Sequence, residues 1–109
     1  MVPFVLVLGE RVIGYGELWG DHDLDEAELA RLVVMPEARA QGNGRALTRA
    51  LADAAKRRGF AAVWLRVRLE DVPARRTYEA AGLGRATAEQ EAEFNAGQPR
   101  VYVWMRDLT

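Results

Sequence analysis

The stretch from Leu29 to Gly59 restricts the fold more than any other part of this 109-residue chain. Leu29 to Met35 is rich in Leu, Val and Met and stops at Pro36, the profile of a buried strand ended by a residue that cannot extend its ladder. Downstream, Leu47, Ala50, Leu51, Ala54, Ala55 and Arg58 follow helical spacing, and Gly59 stands where a helix ends. Between strand and helix lies Arg39-Ala40-Gln41-Gly42-Asn43-Gly44-Arg45. Two glycines at such a turn let the backbone pass close to a ligand with no Cβ in the way. The first N–H groups of the helix lack intrahelical partners and sit at the positive end of its dipole, so an anion fits there and a pyrophosphate fits best. On these residues alone a tight structural turn is the competing reading.

After the helix, Ala62 to Leu69 alternates Val63, Leu65, Val67 and Leu69 with Trp64, Arg66 and Arg68, as a strand with one dry face does. A strand–helix–strand crossover places this strand parallel to the one ending at Met35. Around this unit, Phe4 to Leu8 and Arg11 to Trp19 read as a hairpin turning at Gly9-Glu10. Gly14 and Gly16, two apart on one face of the second strand, imply close approach of another element. Gly20 to Asp25 reads as an acidic loop and Glu28 to Met35 as the third strand. The first helix runs from Gly42 or Asn43 to Arg58. Asp71-Val72-Pro73 starts a second, with an Asp cap and Pro in the first turn, carrying Ala74 to Ala81 and ending at Gly82. Leu83 to Ala86 reads as a short strand, Thr87 to Gln98 as a polar segment of undecided structure, and Arg100 to Leu108 as the closing strand. The expected fold is a mixed α/β sheet in the order β-β-β-α-β-α-β-β, one domain over residues 1–109.

Two phosphate-binding motifs do not fit the loop. A P-loop needs Lys and Ser/Thr after its glycines, and Gly44 is followed by Arg45-Ala46. The dinucleotide fingerprint needs a third small residue where Leu47 stands and a strand abutting the first glycine, whereas Pro36 to Gln41 intervene.

The segment resembles motif A of the GNAT N-acyltransferase superfamily, whose pattern Leu-x-Val-x-Pro followed by Arg/Gln-x-x-Gly-x-Gly/Ala is met by Leu32, Val34, Pro36, Arg39, Gly42 and Gly44. A second signature, Asn-x-x-Ala-x-x-x-Tyr-x-x-x-Gly-Phe, is met by Ala74, Tyr78 and Gly82, with Asp71 in place of Asn and Leu83 in place of Phe. The resemblance covers nearly the whole chain, from the family's second strand onward. The usual opening strand and two helices, which wall the acceptor site, have no counterpart in it. It implies a GNAT-like fold with acetyl-CoA (coenzyme A) as co-substrate and no metal. Val33, Val34, Arg39, Ala40, Gln41, Gly42, Asn43, Gly44, Arg45, Asp71, Arg75 and Tyr78 would hold the cofactor. The implied reaction is direct acetyl transfer to a small-molecule or peptide amine of unspecified identity. The alternatives are an acyl-CoA-binding or regulatory protein of the same fold without transferase activity and, further off, a generic phosphate-binding α/β domain.

The chemistry requires a deprotonated amine, a polarised thioester carbonyl and a stabilised thiolate. The resemblance makes Tyr78 the candidate general acid towards sulfur. By spacing alone it shares a helix face with Ala74 and Ala81 and reads equally as a residue of the core. A tyrosine near 10 giving its proton to a thiol near 8.5 goes uphill by roughly 2 kcal/mol, so hydrogen bonding or concerted donation is expected. An amine near 10.4 needs a base or a water path. Glu28 is the best candidate, with Glu26 behind it, against the reading of a solvated acidic loop. His22 reads as a solvated loop residue. Trp19, Trp64 and Trp104 read as core or edge aromatics. Arg75, one turn before Tyr78, is placed to reach a phosphate, with Arg76 read as a surface residue.

Half the residues are hydrophobic and the net charge is −1, which gives no reason to expect nucleic acid or an acidic membrane as partner. The absence of cysteine excludes disulfides, thiol nucleophiles and thiolate metal sites. Met1 to Leu8 lacks the basic lead-in of a signal peptide, so a cytoplasmic location is expected. The five acids between Gly20 and Glu28 favour a cationic acceptor. The Phe4–Leu8 strand, apolar and uncharged until Glu10, lies at a sheet edge in this arrangement, and a homodimer is the expected cover.

Overall fold

The computed structural model describes residues 1–109. It contains, in chain order, strands β1 (Val2–Leu8), β2 (Arg11–Asp21) and β3 (Glu26–Val34), helix α1 (Asn43–Arg57), strand β4 (Ala62–Val67), helix α2 (Val72–Ala80), strand β5 (Leu83–Arg85), helix α3 (Ala88–Asn95) and strand β6 (Val103–Asp107). The six strands form one sheet in the order β1-β2-β3-β4-β6-β5. Only β3 and β4 pair in parallel, as the crossover through α1 requires; every other neighbour is antiparallel.

Helix α1 lies across one face of the sheet. Its buried stripe, Leu47, Thr48, Leu51, Ala52, Ala54 and Ala55, meets a core that includes Leu18, Leu29, Val63, Leu65 and Met105. Fifteen residues make a marginal helix in water, so this burial is what holds α1 in place. The close approach implied by the β2 glycines is real: a Cβ on Gly16 would stand 2.5 Å from Leu51 Cδ1. Leu51 is 1 % exposed, so Leu51→Ala costs about 2–5 kcal/mol.

One undecided segment is resolved and two expectations need correction. The segment from Thr87 holds α3, started by a capping box in which Thr87 and Gln90 exchange hydrogen bonds. That helix covers the second face of the sheet, setting Phe94 against both Trp64 and Trp104. Strand β4 is therefore dry on both faces around Trp64, which is 5 % exposed, while Leu69 lies beyond the strand and is exposed. The closing strand is shorter than Arg100 to Leu108 because the Asn95 amide takes the place of a neighbouring strand: Nδ2 donates to Tyr102 O and Oδ1 accepts from Tyr102 N.

The far end of the sheet is locked to α1 by charge. Arg49 donates to both oxygens of Asp107 (2.9 and 2.7 Å), to Asp53 and to Ala81 O, and Lys56 stands 3.0 Å from Asp107. Burial alone would raise the Asp107 pKa. The hydrogen bonds from Arg49, Lys56 and Thr109 outweigh it and hold the carboxyl well below its ordinary range.

Candidate active site

Strands β3 and β4 pair over only four positions, Glu26↔Ala62 to Leu29↔Leu65. Beyond Leu29 they part, although β3 runs on to Val34, so the polar backbone of β3 on that side has no strand partner. On its other side the pairing with β2 slips between Tyr15 and Glu17, and Arg31 sits in the left-handed region at φ 54°. The slip and the divergence together open the sheet in its middle.

The opening leads into a cleft of about 850 Å³ between β3, the loop before α1, and the two helices α1 and α2. Gly42, at φ 81°, occupies the N-cap of α1 and no side chain caps that end. Ala40 is also left-handed, at φ 59°, a conformation uncommon for a residue with a Cβ. The loop is braced from within: Arg39 Nε donates to Val34 O (2.9 Å), Gln41 to Glu37 O and Asn43 to Ala38 O. No acid stands in the first turn of α1 to answer its dipole, and Arg45 adds positive charge there. The two glycines do different work. A Cβ at Gly42 would meet nothing within 4 Å, so this residue supplies the backbone turn; one at Gly44 would lie 3.1 Å from Thr77 Cγ2, so this residue lets α1 and α2 close on each other.

Of the residues expected to hold the cofactor, Val34, Arg39, Ala40, Gly42, Gly44, Arg45, Asp71 and Tyr78 line the cleft. Gln41 and Asn43 brace the loop instead. Val33, next to Val34 on an alternating strand, faces the opposite side of the sheet. Arg75 turns away and donates to Leu69 O, while Arg76 lines the cleft in its place. Spacing alone could not separate these neighbours, since one residue on a helix is a 100° rotation. Neither Arg45 nor Arg76 enters an ion pair.

Asp71 caps α2, its side chain accepting from Ala74 N at 3.2 Å. Tyr78, one face of which meets the core, lines the cleft below. Burial first, and then the charge of Asp71, push its pKa above the usual 10.0, so the hydroxyl stays protonated well above neutrality and is available as a donor.

Glu28 does not share that cleft. It lines a smaller cavity with Glu26, and Arg66 grips both its oxygens at 2.8 Å. His22 stacks on Phe60 at 4.6 Å. The sequence reading passed over Glu17, 3 % exposed, whose carboxylate accepts from Tyr15 OH (2.6 Å) and Trp19 Nε1 (3.0 Å) with Arg31 at 3.6 Å. Tyr15 foremost, then Trp19, hold its pKa below the ordinary value against the effect of burial. The signal was present as Tyr-x-Glu-x-Trp, polar groups two apart on a single strand face. No three His, Cys, Asp or Glu side chains converge as a metal site, and no helix is long and apolar enough to cross a membrane.

The sequence model of the acetyltransferase (GNAT) family matches residues 1–83. Among curated proteins, the [ribosomal protein bS18]-alanine N-acetyltransferase of Escherichia coli K12 is 44 % identical over 64 residues, 59 % of this chain and 43 % of the relative. The chain thus matches under half the length of that relative. The crystal structure of the Escherichia coli ribosomal-protein-S18-alanine N-acetyltransferase superposes with a TM-score of 0.73 at 29 % identity, over 97 % of this chain and 67 % of that one. The PaiA N-acetyltransferase of Thermoplasma acidophilum, solved with coenzyme A, gives 0.74 at 19 % identity over 97 % of this chain and 59 % of its own, a likeness of fold. With a superposition that takes in 97 % of its residues and a family match across three quarters of its length, the chain belongs to the acetyltransferase (GNAT) family.

Proposed function

We propose that this chain binds acetyl-CoA in the cleft beside α1 and transfers the acetyl group to an amine. The observation that carries the reading is the cleft itself. It joins an uncapped helix N-terminus, the unpaired cations Arg45 and Arg76, and a protonated tyrosine to a length of β3 with no strand partner. Oriented amides and guanidinium groups suit a pyrophosphate, and the free β3 backbone suits an extended, amide-bearing arm. Coenzyme A offers both.

In this reading the amine nitrogen attacks the thioester carbonyl, the C–S bond breaks, and the Tyr78 hydroxyl donates to the departing sulfur. The amine proton leaves through water towards Glu28, which lies outside the cleft and is held by Arg66 with 27 % of its side chain open. Arg39 fixes the end of β3 to the loop, which keeps phosphate and thioester sites in register. Titration with acetyl-CoA by calorimetry tests the binding, and turnover with a panel of amines tests the transfer. Binding without any turnover would favour the second reading, a coenzyme A-binding protein of this fold, to which the capture of Glu28 by Arg66 lends support.

The acceptor is proposed to be a small-molecule or peptide amine, on the strength of the relative's alanine acceptor, and the location cytoplasmic. Self-association is proposed through β1, an edge strand on which Val5 and Val7 are 56 % and 51 % exposed. Sedimentation of the wild type and of Val5→Lys tests it: a dimer that becomes monomeric in the variant is expected, and a monomer in both would remove the proposal.

A further inference from the structure

Strand β3 changes phase in its middle. Ala27 and Leu29 turn into the core under α1, and by alternation Arg31 and Val33 should follow them. Instead Leu32 and Val34 pack against that core and line the cleft, while Arg31 and Val33 are exposed. The ladder with β2 shows the cause. Tyr15 pairs with Val33 and Glu17 with Ala30, so Gly16 stands opposite two residues, Arg31 and Leu32. One extra residue in a strand flips every side chain beyond it to the other face of the sheet. Gly16 makes room for the flip: a Cβ there would lie 3.6 Å from Leu32 Cγ and 2.5 Å from Leu51 Cδ1.

The bulge turns at Arg31, at φ 54°. Glycine takes that conformation freely, and Asn, Asp and His are the side chains that favour it; arginine is not among them. The bulge therefore needs support from outside its own backbone.

Glu17 is in place to give it. The β2 glycines on either side of it face α1, so Glu17 points to the opposite face, directly across from Ala30. It is buried, and both its oxygens are engaged. Oε1 accepts from Trp19 at 3.0 Å; Oε2 accepts from Tyr15 at 2.6 Å and faces the Arg31 guanidinium at 3.6 Å. Arg31 has no other acidic partner. With one member buried, this pair is screened less than a surface pair. Glu17 does not line the cleft, so any effect it has there passes through Arg31.

We propose that Glu17 is a positioning residue for the acetyl-CoA cleft: by anchoring Arg31 it holds the bulge that turns Leu32 and Val34 towards the cofactor. Tyr15 and Trp19 fix the carboxylate, the carboxylate fixes Arg31, and Arg31 sets the phase of β3. Without the bulge, Arg31 and Val33 would enter the cleft in their place. The consequence for binding rests on the acetyl-CoA reading; the phase of β3 can be read without any ligand.

Three variants of Arg31, whose side chain is 72 % open, separate this role from simple packing. Glycine takes the left-handed turn unaided, lysine keeps the charge that faces Glu17, and alanine does neither. In calorimetry Arg31→Ala should bind acetyl-CoA up to about tenfold more weakly than the wild type, the scale of one left-handed residue's cost. Arg31→Gly and Arg31→Lys should both bind more tightly than Arg31→Ala. Glu17→Gln, which keeps the shape and drops the charge, should be weakened likewise, and Glu17→Gln/Arg31→Gly should recover the loss.

In the ligand-free protein, the nuclear Overhauser contact between the Val34 methyl groups and the Gly44 α protons reports the phase. Val34 Cγ2 lies 3.8 Å from where a Gly44 Cβ would stand. The contact should weaken in Arg31→Ala and Glu17→Gln and return in the double variant. Equal affinity and equal contact across the three Arg31 variants would overturn the proposal. So would a defect in folded Glu17→Gln that glycine at position 31 does not recover. If Glu17→Gln does not fold, the order among the Arg31 variants decides. If even the wild type fails to bind acetyl-CoA while the contact follows this order, the acetyl-transfer reading falls and Glu17 keeps its hold on β3.

Discussion

Helix α1 carries two arginines, about one turn apart, that live in opposite circumstances. In the middle of the helix Arg49 is half buried and fully engaged, its donors divided among Asp107, Asp53 and Ala81 O, with Lys56 completing the cluster. At the N-terminal end Arg45 is exposed, has no acidic partner, and stands with Arg76 over a helix end that no side chain caps. The same residue type on the same helix is structural where its partners are supplied by the fold and poised for a ligand where they are not. Satisfied charge marks what holds the molecule together; unsatisfied charge beside a cavity marks what it is for.

That contrast can be broken most forcefully at Asp107. Asp107→Ala leaves two half-buried cations, Arg49 and Lys56, without their buried anion, Arg49 keeping only Asp53, and should cost about 3 kcal/mol of stability, read as a lowered denaturation midpoint. The same group sets an acid limit. Its pKa is depressed in the fold, so its contribution is fully present above the ordinary 3.8 and is lost as the pH falls below that value. Acid unfolding of the wild type should steepen there, and in Asp107→Asn that component should vanish.

Next comes the chemistry of the open end. Tyr78→Phe should lower kcat about 100-fold with acetyl-CoA affinity kept, because the hydroxyl acts only as charge develops on sulfur. An unchanged kcat would return Tyr78 to the core. Arg45→Glu and Arg76→Glu should each weaken acetyl-CoA binding by about 1.5–3 kcal/mol, the worth of a hydrogen bond to a charged group, while the melting temperature stays put. A variant that loses stability instead of affinity would erase the distinction between the two arginines.

The smallest effect expected is at Ala40. Its left-handed backbone costs a residue with a Cβ about 1–2 kcal/mol, and Ala40→Gly trades that strain against the greater freedom of glycine in the unfolded chain. A net stabilisation of about 0.5 kcal/mol in chemical denaturation is expected, with the loop less well held and acetyl-CoA bound slightly more weakly.

The central crossover was legible because its signals are local and mutually consistent: an apolar strand, a proline stop, two glycines and a helical stripe, all within Leu29 to Gly59. Asp71 was legible as a cap ahead of Pro73, whereas Tyr78 was singled out by the family resemblance, its spacing alone fitting a core residue equally well. What stayed hidden depended on contacts between distant parts. Arg76 rather than Arg75 reaches the cleft because of how α2 is rotated against α1, which sequence spacing does not encode. Glu28 is claimed by Arg66, 38 residues away on the neighbouring strand. Helix α3 was announced by Thr87 and Gln90, but its weakly apolar turn drew no attention until Phe94 was seen between two tryptophans.

The four-position seam between β3 and β4 has a dynamic corollary. It joins Glu26 to Ala62, distant in sequence, and is the sole ladder linking the two halves of the sheet. Amides near Leu29 and Leu65 should therefore exchange with solvent only on global unfolding, while those of β3 past the seam exchange through small local openings. A ligand lying along that free stretch would act as a temporary seventh strand. Its arrival would be recorded as slowed deuterium uptake there, and as an apparent stability that climbs with the logarithm of ligand concentration.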